Sequence, residues 1–173
     1  MTDHACPSIG HHSTVPYVAD ERAMLTAFLD ATRLAVRRKL DGVSVEQARS
    51  TPTVSALSLL GIVKHLAWTE RRWFRESFAG EQPRFSMRGE SSTEFWAGPD
   101  DTIESVVRLY EKECARAREI TAAASSLEQL TANPQFASPV SLRWILVHMI
   151  EETARHTGHA DVIRETLDGS VGE

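Results

Sequence analysis

Cysteine is scarce in this chain, with Cys6 and Cys114 as the only two among 173 residues. Two cysteines supply neither a disulfide framework nor a four-cysteine zinc site. Basic residues are also in the minority, because 19 lysines and arginines face 24 acidic residues and the formal net charge is −5. A nucleic-acid-binding protein normally carries a basic patch. The composition therefore predicts that nucleic acid is not a partner.

Long apolar runs are missing as well. The most apolar window, VSALSLLGIV, contains serines and is followed by a lysine, whereas a membrane-spanning helix needs about 20 apolar residues. The start of the chain, MTDHACPSIGHHSTVP, has neither the basic region nor the apolar region of a secretory signal. We therefore expect a soluble, cytoplasmic protein with no membrane partner.

The length of the chain favours one compact domain. Residues 1–17 contain proline, glycine and serine without an apolar period and are predicted to be a flexible leader. Residues 18–169 are predicted to form the domain, and 170–173 a short tail. No stretch alternates with a period of two, so strands are not predicted.

Four segments show the periodicity of amphipathic helices, at about 20–42, 55–80, 101–125 and 141–168. In the first segment one apolar stripe predicts the buried face. It consists of Met24, Phe28, Ala31 and Ala35, with Leu25, Leu29 and Val36 beside it. Residues 43–54 form a link with a predicted helical turn at Val45–Arg49. The link between the second and third segments, 81–99, is longer. These lengths predict an all-α, antiparallel four-helix bundle with a long crossover between helices 2 and 3.

The long crossover carries side chains that could reach a ligand. A loop of this length without structure of its own is uncommon in a compact domain and is often functional. Its aromatic residues include Phe85, Phe95 and Trp96, and Arg88 lies between them. We predict Arg88 and Trp96 as candidates for a lid over a site.

The fourth segment carries the residues with the clearest chemistry. His148, Glu152 and His156 are spaced at i, i+4 and i+8 and share one helix face. Glu152 and His156 have the spacing that lets two helix side chains converge on one ion. His65, in the second segment, is the only histidine outside the leader and the fourth segment, and Gly61 one turn before it leaves room for a close approach. Two imidazoles and one carboxylate suit a divalent ion such as zinc.

A structural interpretation of the same residues stays open at this point, because Glu-x-x-x-His pairs occur by chance on many helices. A ferritin-like di-iron site is excluded, since no histidine follows a glutamate by three residues. The HExxH and G-x-S-x-G motifs are absent too. His148 is predicted to line a pocket, to support the ligands or to pack in the core. His159 is predicted to support His156 or to form a polar contact between helices.

Two motifs resemble the DinB-like superfamily of four-helix metalloproteins. They are SLLGIVKHLAWTERRWF and, about 80 residues later, LRWILVHMIEETARHTGHADVIRE. The resemblance covers 18–169 and implies the four-helix fold. Many members use three histidines as ligands, and here Glu152 stands where the first histidine of the last pair would be. This pattern is most similar to the mycothiol-dependent maleylpyruvate isomerase and mycothiol S-transferase branch, which implies His65, Glu152 and His156 as ligands.

The resemblance also implies a function. It points to a metal-dependent thiol S-transferase in detoxification, in which one divalent ion activates a low-molecular-weight thiol for attack on a small electrophile. Zinc is the expected metal, and nickel, iron and manganese are compatible with the ligands. With 16 arginines and 3 lysines the chain resembles products of GC-rich bacterial genomes, which favours mycothiol over bacillithiol.

The resemblance further implies a homodimer, and it makes Arg88 and Trp96 candidate contacts for the thiol. A metal-dependent hydrolase and a non-catalytic metal-binding bundle are the alternatives.

Overall fold

Five α-helices make up most of the described chain, which comprises 15–82, 95–134 and 138–171 of a computed structural model. They are α1 (Glu21–Arg38), α2 (Val45–Arg49), α3 (Leu59–Glu70), α4 (Ile103–Ala123) and α5 (Leu142–Asp168). A π-helical segment, Arg71–Phe78, continues α3. Within these ranges β pairing is limited to an isolated bridge between Leu130 and Ser141. The predicted all-α fold is confirmed.

Side-chain caps determine where the long helices begin. Each capping side chain accepts a hydrogen bond from a backbone N–H three residues later, and the caps are Asp20, Ser58, Thr102 and Ser141. The predicted starts at Asp20 and Ser141 are therefore confirmed. The second long helix begins at Leu59, later than predicted, because Ser58 is its cap. The predicted turn at Val45–Arg49 is the short helix α2.

The helix that carries His65 lies at the centre of the bundle. In tertiary packing α1 lies mainly against α5, and α3 lies mainly against α4. Helix α3 is buried along almost its whole length, with Leu60 and Leu66 in one apolar cluster. A second apolar cluster includes Phe74 and Met149. Because α3 is enclosed on most sides, the side chains that it directs inward have fixed positions.

The buried face of α1 differs from the predicted stripe. Leu29, Arg33 and Val36 are buried, whereas Phe28 is 36% exposed. The guanidinium of Arg33 donates two hydrogen bonds to the carboxylate of Glu70 on α3, at 2.7 and 2.5 Å. A charged residue therefore occupies the middle of this face. An apolar pattern could not show a buried arginine. The buried face passes through Leu29 and Val36, which were predicted beside the stripe, so the centre of the predicted stripe was wrong by about one position.

Several predictions fall partly or wholly outside the described residues. The crossover connects the π-helical segment to α4, and 83–94, with Arg88, lie outside them. So do 1–14 of the predicted leader and 172–173 of the predicted tail. Val15 at the end of that leader is buried, while Tyr17 and Val18 are exposed. Over the described ranges no helix has the length and apolar composition that crossing a membrane requires.

Candidate metal centre

Three side chains from two helices meet inside the bundle. His65 of α3 places its Nε2 atom 3.2 Å from Oε1 of Glu152 on α5. His156, one turn further along α5, places its Nε2 atom 3.2 Å from the same oxygen. One candidate ligand atom from each residue lies within 4.8 Å of the other two. These three residues therefore form a group that could hold a metal ion.

The spacing and the chemistry of these atoms fit a divalent ion. Bonds of about 2.0–2.1 Å to a tetrahedral zinc ion place neighbouring ligand atoms about 3.4 Å apart. The distance from Glu152 to each histidine nitrogen, 3.2 Å, is close to this value, and all three atoms lie within 4.8 Å of one another. The side chains of His65 and His156 are 6% and 8% exposed, and that of Glu152 is 15% exposed. A metal ion held here would be largely enclosed, with the glutamate on the more open side.

The two imidazoles keep Glu152 ionised when no metal is bound. Hydrogen bonds from His156 and then from His65 hold the pKa of Glu152 well below its ordinary value, although burial opposes them. An ionised carboxylate can only accept hydrogen bonds, so both Nε2 atoms carry a proton in this state. For either Nε2 atom to bind a metal, its proton must move to Nδ1 or to solvent, because a ligating nitrogen offers its lone pair.

His159 lies directly behind His156. The two Nδ1 atoms are 3.5 Å apart, and the ring centroids are 5.4 Å apart. A metal-binding histidine usually donates its second ring N–H to an acceptor, which fixes the tautomer and the orientation of the ring. His159 is therefore placed to accept the Nδ1–H of His156.

His148 lies outside the group of three. Its ring stacks on Trp144 at a centroid distance of 5.0 Å and meets Trp73 edge-on at 4.9 Å. Burial lowers the pKa of His148, so the ring is neutral at neutral pH. We call Trp73, Trp144 and His148 the aromatic wall. Since His148 is one turn before Glu152 on α5, this wall lies beside the candidate centre.

Phe95 reaches the centre from the described end of the crossover, a contact that the helical periodicity does not predict. Its ring stacks on His65 at 4.2 Å and lies against His156 at 5.2 Å. Gly61 allows the approach, since a Cβ atom there would lie 2.0 Å from the carbonyl oxygen of Phe95. The expected close approach at Gly61 is therefore confirmed, although its partner could not be identified from the sequence. The neighbouring Trp96 is exposed, and the ammonium of Lys64 lies 5.7 Å from its ring centroid.

Comparisons with known proteins identify a matching family and a similar solved structure. The model of a family described as mycothiol-S-transferase matches residues 24–169. Among solved structures, a conserved protein from Enterococcus faecalis is similar, with a TM-score of 0.64 and 16% sequence identity. The likeness covers 88% of this chain and 100% of that chain, and at this identity it shows the fold alone. No curated protein matches the chain significantly.

Proposed function

This chain belongs to the mycothiol S-transferase family within the DinB-like proteins, and from that premise we propose that it is a metal-dependent enzyme that joins the thiol of mycothiol to a small electrophile. The observation that carries the proposal is the convergence of His65, Glu152 and His156 on one point. The reaction forms a sulfur–carbon bond and expels the leaving group with its electron pair. The thiol proton passes to solvent.

The three ligands suit this chemistry. A zinc-type ion bound there would lower the pKa of a coordinating thiol, so that the nucleophilic thiolate exists at neutral pH. His65 and His156 would supply neutral nitrogen ligands, and Glu152 one negative charge. Three protein ligands leave a position for a substrate, as catalytic zinc sites do. Cys114, the cysteine among the described residues, is buried and its thiol pKa is raised by that burial, so it is a poor nucleophile.

The aromatic wall is the surface that we assign to the electrophile. Trp144 is partly exposed, and so is His148, which stacks on it. Aromatic faces of this kind bind planar or apolar groups. Trp96 and Arg88 are proposed contacts for the thiol.

The proposal includes a place of action and an assembly. We place the enzyme in the cytoplasm, where thiols are kept reduced, and assign it to the detoxification of electrophiles. We also propose that it acts as a homodimer, as the family resemblance implies, and that neither nucleic acid nor membrane is a partner.

A conjugation assay tests the function. Zinc-loaded protein is mixed with a fluorogenic alkylating electrophile and with mycothiol, bacillithiol or glutathione in turn. We expect turnover with mycothiol, and we expect His156→Ala and Glu152→Ala to lose both metal and turnover while keeping their helicity. Glu151→Ala is the matched control, because Glu151 is an exposed carboxylate next to Glu152. Its metal content should equal that of the wild type.

Other outcomes of the assay contradict the proposal in distinct ways. Turnover without any added thiol would support a metal-dependent hydrolase. Metal retained with no turnover with any thiol would support a non-catalytic metal-binding bundle. Tight metal binding by both His156→Ala and Glu152→Ala would show that the ligands are assigned wrongly.

A further inference from the structure

A short segment before α4, residues 95–101, is held by one guanidinium from a different part of the chain. Arg49, the last residue of α2, donates hydrogen bonds to four carbonyl oxygens of this segment. The acceptors are Ala97 at 3.3 Å, Gly98 at 2.8 Å, Pro99 at 3.1 Å, and Asp101. Carbonyl groups that point at one place repel each other and need a common donor, which Arg49 supplies.

A second charged group ties the same segment to α3. Oδ2 of Asp101 accepts a hydrogen bond from the ammonium of Lys64 at 2.6 Å and another from the backbone N–H of Gly98 at 2.6 Å. Lys64 is the neighbour of His65 in the sequence. The segment is therefore attached to α3 beside the residue that we propose as a metal ligand.

The other end of the segment contacts that ligand directly. The ring of Phe95 stacks on the imidazole of His65 with an interplanar angle of 25°. Rotation of a histidine ring about its Cβ–Cγ bond has only broad preferences. The direction of Nε2 therefore depends on what packs against the ring, together with its contacts to Glu152 at 3.2 Å and to the hydroxyl of Thr69 at 3.4 Å. The carbonyl of Phe95 rests on Gly61, where a Cβ atom would collide with it. The position of Phe95 is therefore defined by its backbone as well as by its ring.

We propose that Arg49 is a positioning residue of the candidate metal centre: it fixes segment 95–101, and through Phe95 it fixes the direction of the His65 ring. The inference rests on the proposed function, because it takes His65 to be a ligand. Helix α2 determines where Arg49 lies. Ser44 and Gln47 form a capping box that stabilises a helix of five residues, and this helix ends at Arg49.

The first test measures zinc affinity by competition with a chromophoric chelator. We expect Arg49→Ala to bind zinc about 10–100-fold more weakly, the range found when groups that orient a ligand are removed. Gly61→Ala should weaken zinc binding as well, although alanine favours a helix, because its Cβ displaces Phe95. Arg22→Ala is the matched control, since Arg22 also donates to two backbone carbonyls, those of Thr121 and Ala124, on another part of the bundle. Its zinc affinity should stay within about twofold of the wild type, a change well below the loss of about 10–100-fold expected of Arg49→Ala.

The second test needs no metal. In the metal-free protein the stacked ring of Phe95 should shift the ring-proton NMR signals of His65 upfield, and the signals should move downfield in Arg49→Ala and Phe95→Leu but not in Arg22→Ala. Unchanged His65 signals or unchanged zinc affinity in Arg49→Ala would overturn the inference. If Arg49→Ala does not fold, Gly61→Ala and Phe95→Leu decide by the same two criteria. Zinc binding that does not depend on His65 would instead refute the proposed function. In that case the NMR signals of His65 in the metal-free protein would still show whether Arg49 holds the His65 ring.

Discussion

At the scale of single residues, the candidate centre depends on atoms that do not ligate. Nε2 of His156 faces Glu152, while its Nδ1 atom faces Nδ1 of His159 at 3.5 Å. A histidine has one donor and one acceptor when neutral, so the hydrogen bond on one nitrogen determines what the other can do. In the tautomer that binds a metal, Nδ1 of His156 carries the proton and donates to His159, which leaves the lone pair of Nε2 for the ion.

We therefore predict that His159→Ala binds zinc about 10–100-fold more weakly than the wild type. His159→Gln keeps a carbonyl acceptor and should recover part of the loss. The measurement is competition with a chelator at constant pH. Val162→Ala is a suitable control, because Val162 is an exposed residue of the same helix. Equal affinities for His159→Ala and this control would show that His159 does not support the ligand.

At the scale of elements, the π-helical segment is joined to α4 by ion pairs. Arg75 donates to both carboxylate oxygens of Glu113, at 3.2 and 3.1 Å, and to Glu81 at 2.7 Å. Arg116 of α4 donates to Glu81 as well, at 3.0 Å. Glu81 thus connects the end of the π-helical segment to α4, just where the crossover leaves the bundle.

This connection should weaken in acid. Burial opposes the ionised form of Glu81, but its hydrogen bonds with Arg75 and Arg116 lower its pKa below the ordinary value of 4.5. A carboxylate with a lowered pKa in the folded state stabilises the fold above its unfolded pKa, and the contribution is lost as the pH falls below about 4.5. Glu81→Gln should therefore lower the unfolding temperature at pH 7 by at most about 4 °C, which corresponds to a loss of about 1 kcal/mol. The difference from the wild type should shrink near pH 3.

Thermal unfolding followed by circular dichroism at several pH values measures this difference. Glu119→Gln is the control, since Glu119 also pairs with Arg116, at 2.9 Å, but lies exposed on the helix surface. A difference between Glu81→Gln and the wild type that stays constant from pH 7 to pH 3 would contradict the assigned role of the Glu81 carboxylate.

The sequence predicts features that depend on neighbouring residues in the chain, and it does not predict contacts between distant residues. Helix starts were predictable where a capping side chain precedes an apolar run, as at Asp20 and Ser141. The pairing of Glu152 with His156 was predictable because both lie on one face of one helix. The contact of Arg49 with the crossover was not predictable, because it joins residues 48 positions apart through backbone carbonyls. The π-helical segment was not predictable either, since its hydrogen-bond register leaves no separate period in the sequence.

At the scale of the whole molecule, one buried ion pair joins α1 to α3. Arg33 is 4% exposed and Glu70 is 1% exposed. Burial by itself would lower the pKa of Arg33, but the charge and hydrogen bonds of Glu70 raise it above its ordinary value, so the guanidinium stays charged. It also lies 5.7 Å from the ring centroid of Phe74. The pair is not predictable from the sequence, because a charged residue on a helix is normally expected to face solvent.

A buried pair of this kind should be far more sensitive to the loss of one partner than to the loss of both. Glu70→Gln leaves the buried charge of Arg33 with only the partly exposed carboxylate of Asp30, at 2.9 Å, as its counter-charge, and should lower the free energy of unfolding by up to about 3–5 kcal/mol. The double variant Arg33→Met with Glu70→Leu removes both charges and should recover most of that loss.

Urea unfolding of the three proteins measures these differences. Arg37→Ala serves as the control from the same helix. Arg37 forms a more exposed pair with Asp41 at 2.8 Å, which should be worth about 0–1 kcal/mol. If Glu70→Gln destabilised the protein no more than Arg37→Ala does, Asp30 or water would compensate the charge of Arg33, and the Glu70 carboxylate would not be what holds α1 against α3. If the double variant were as unstable as the single one, the loss would come from packing around Phe74 and not from an uncompensated charge.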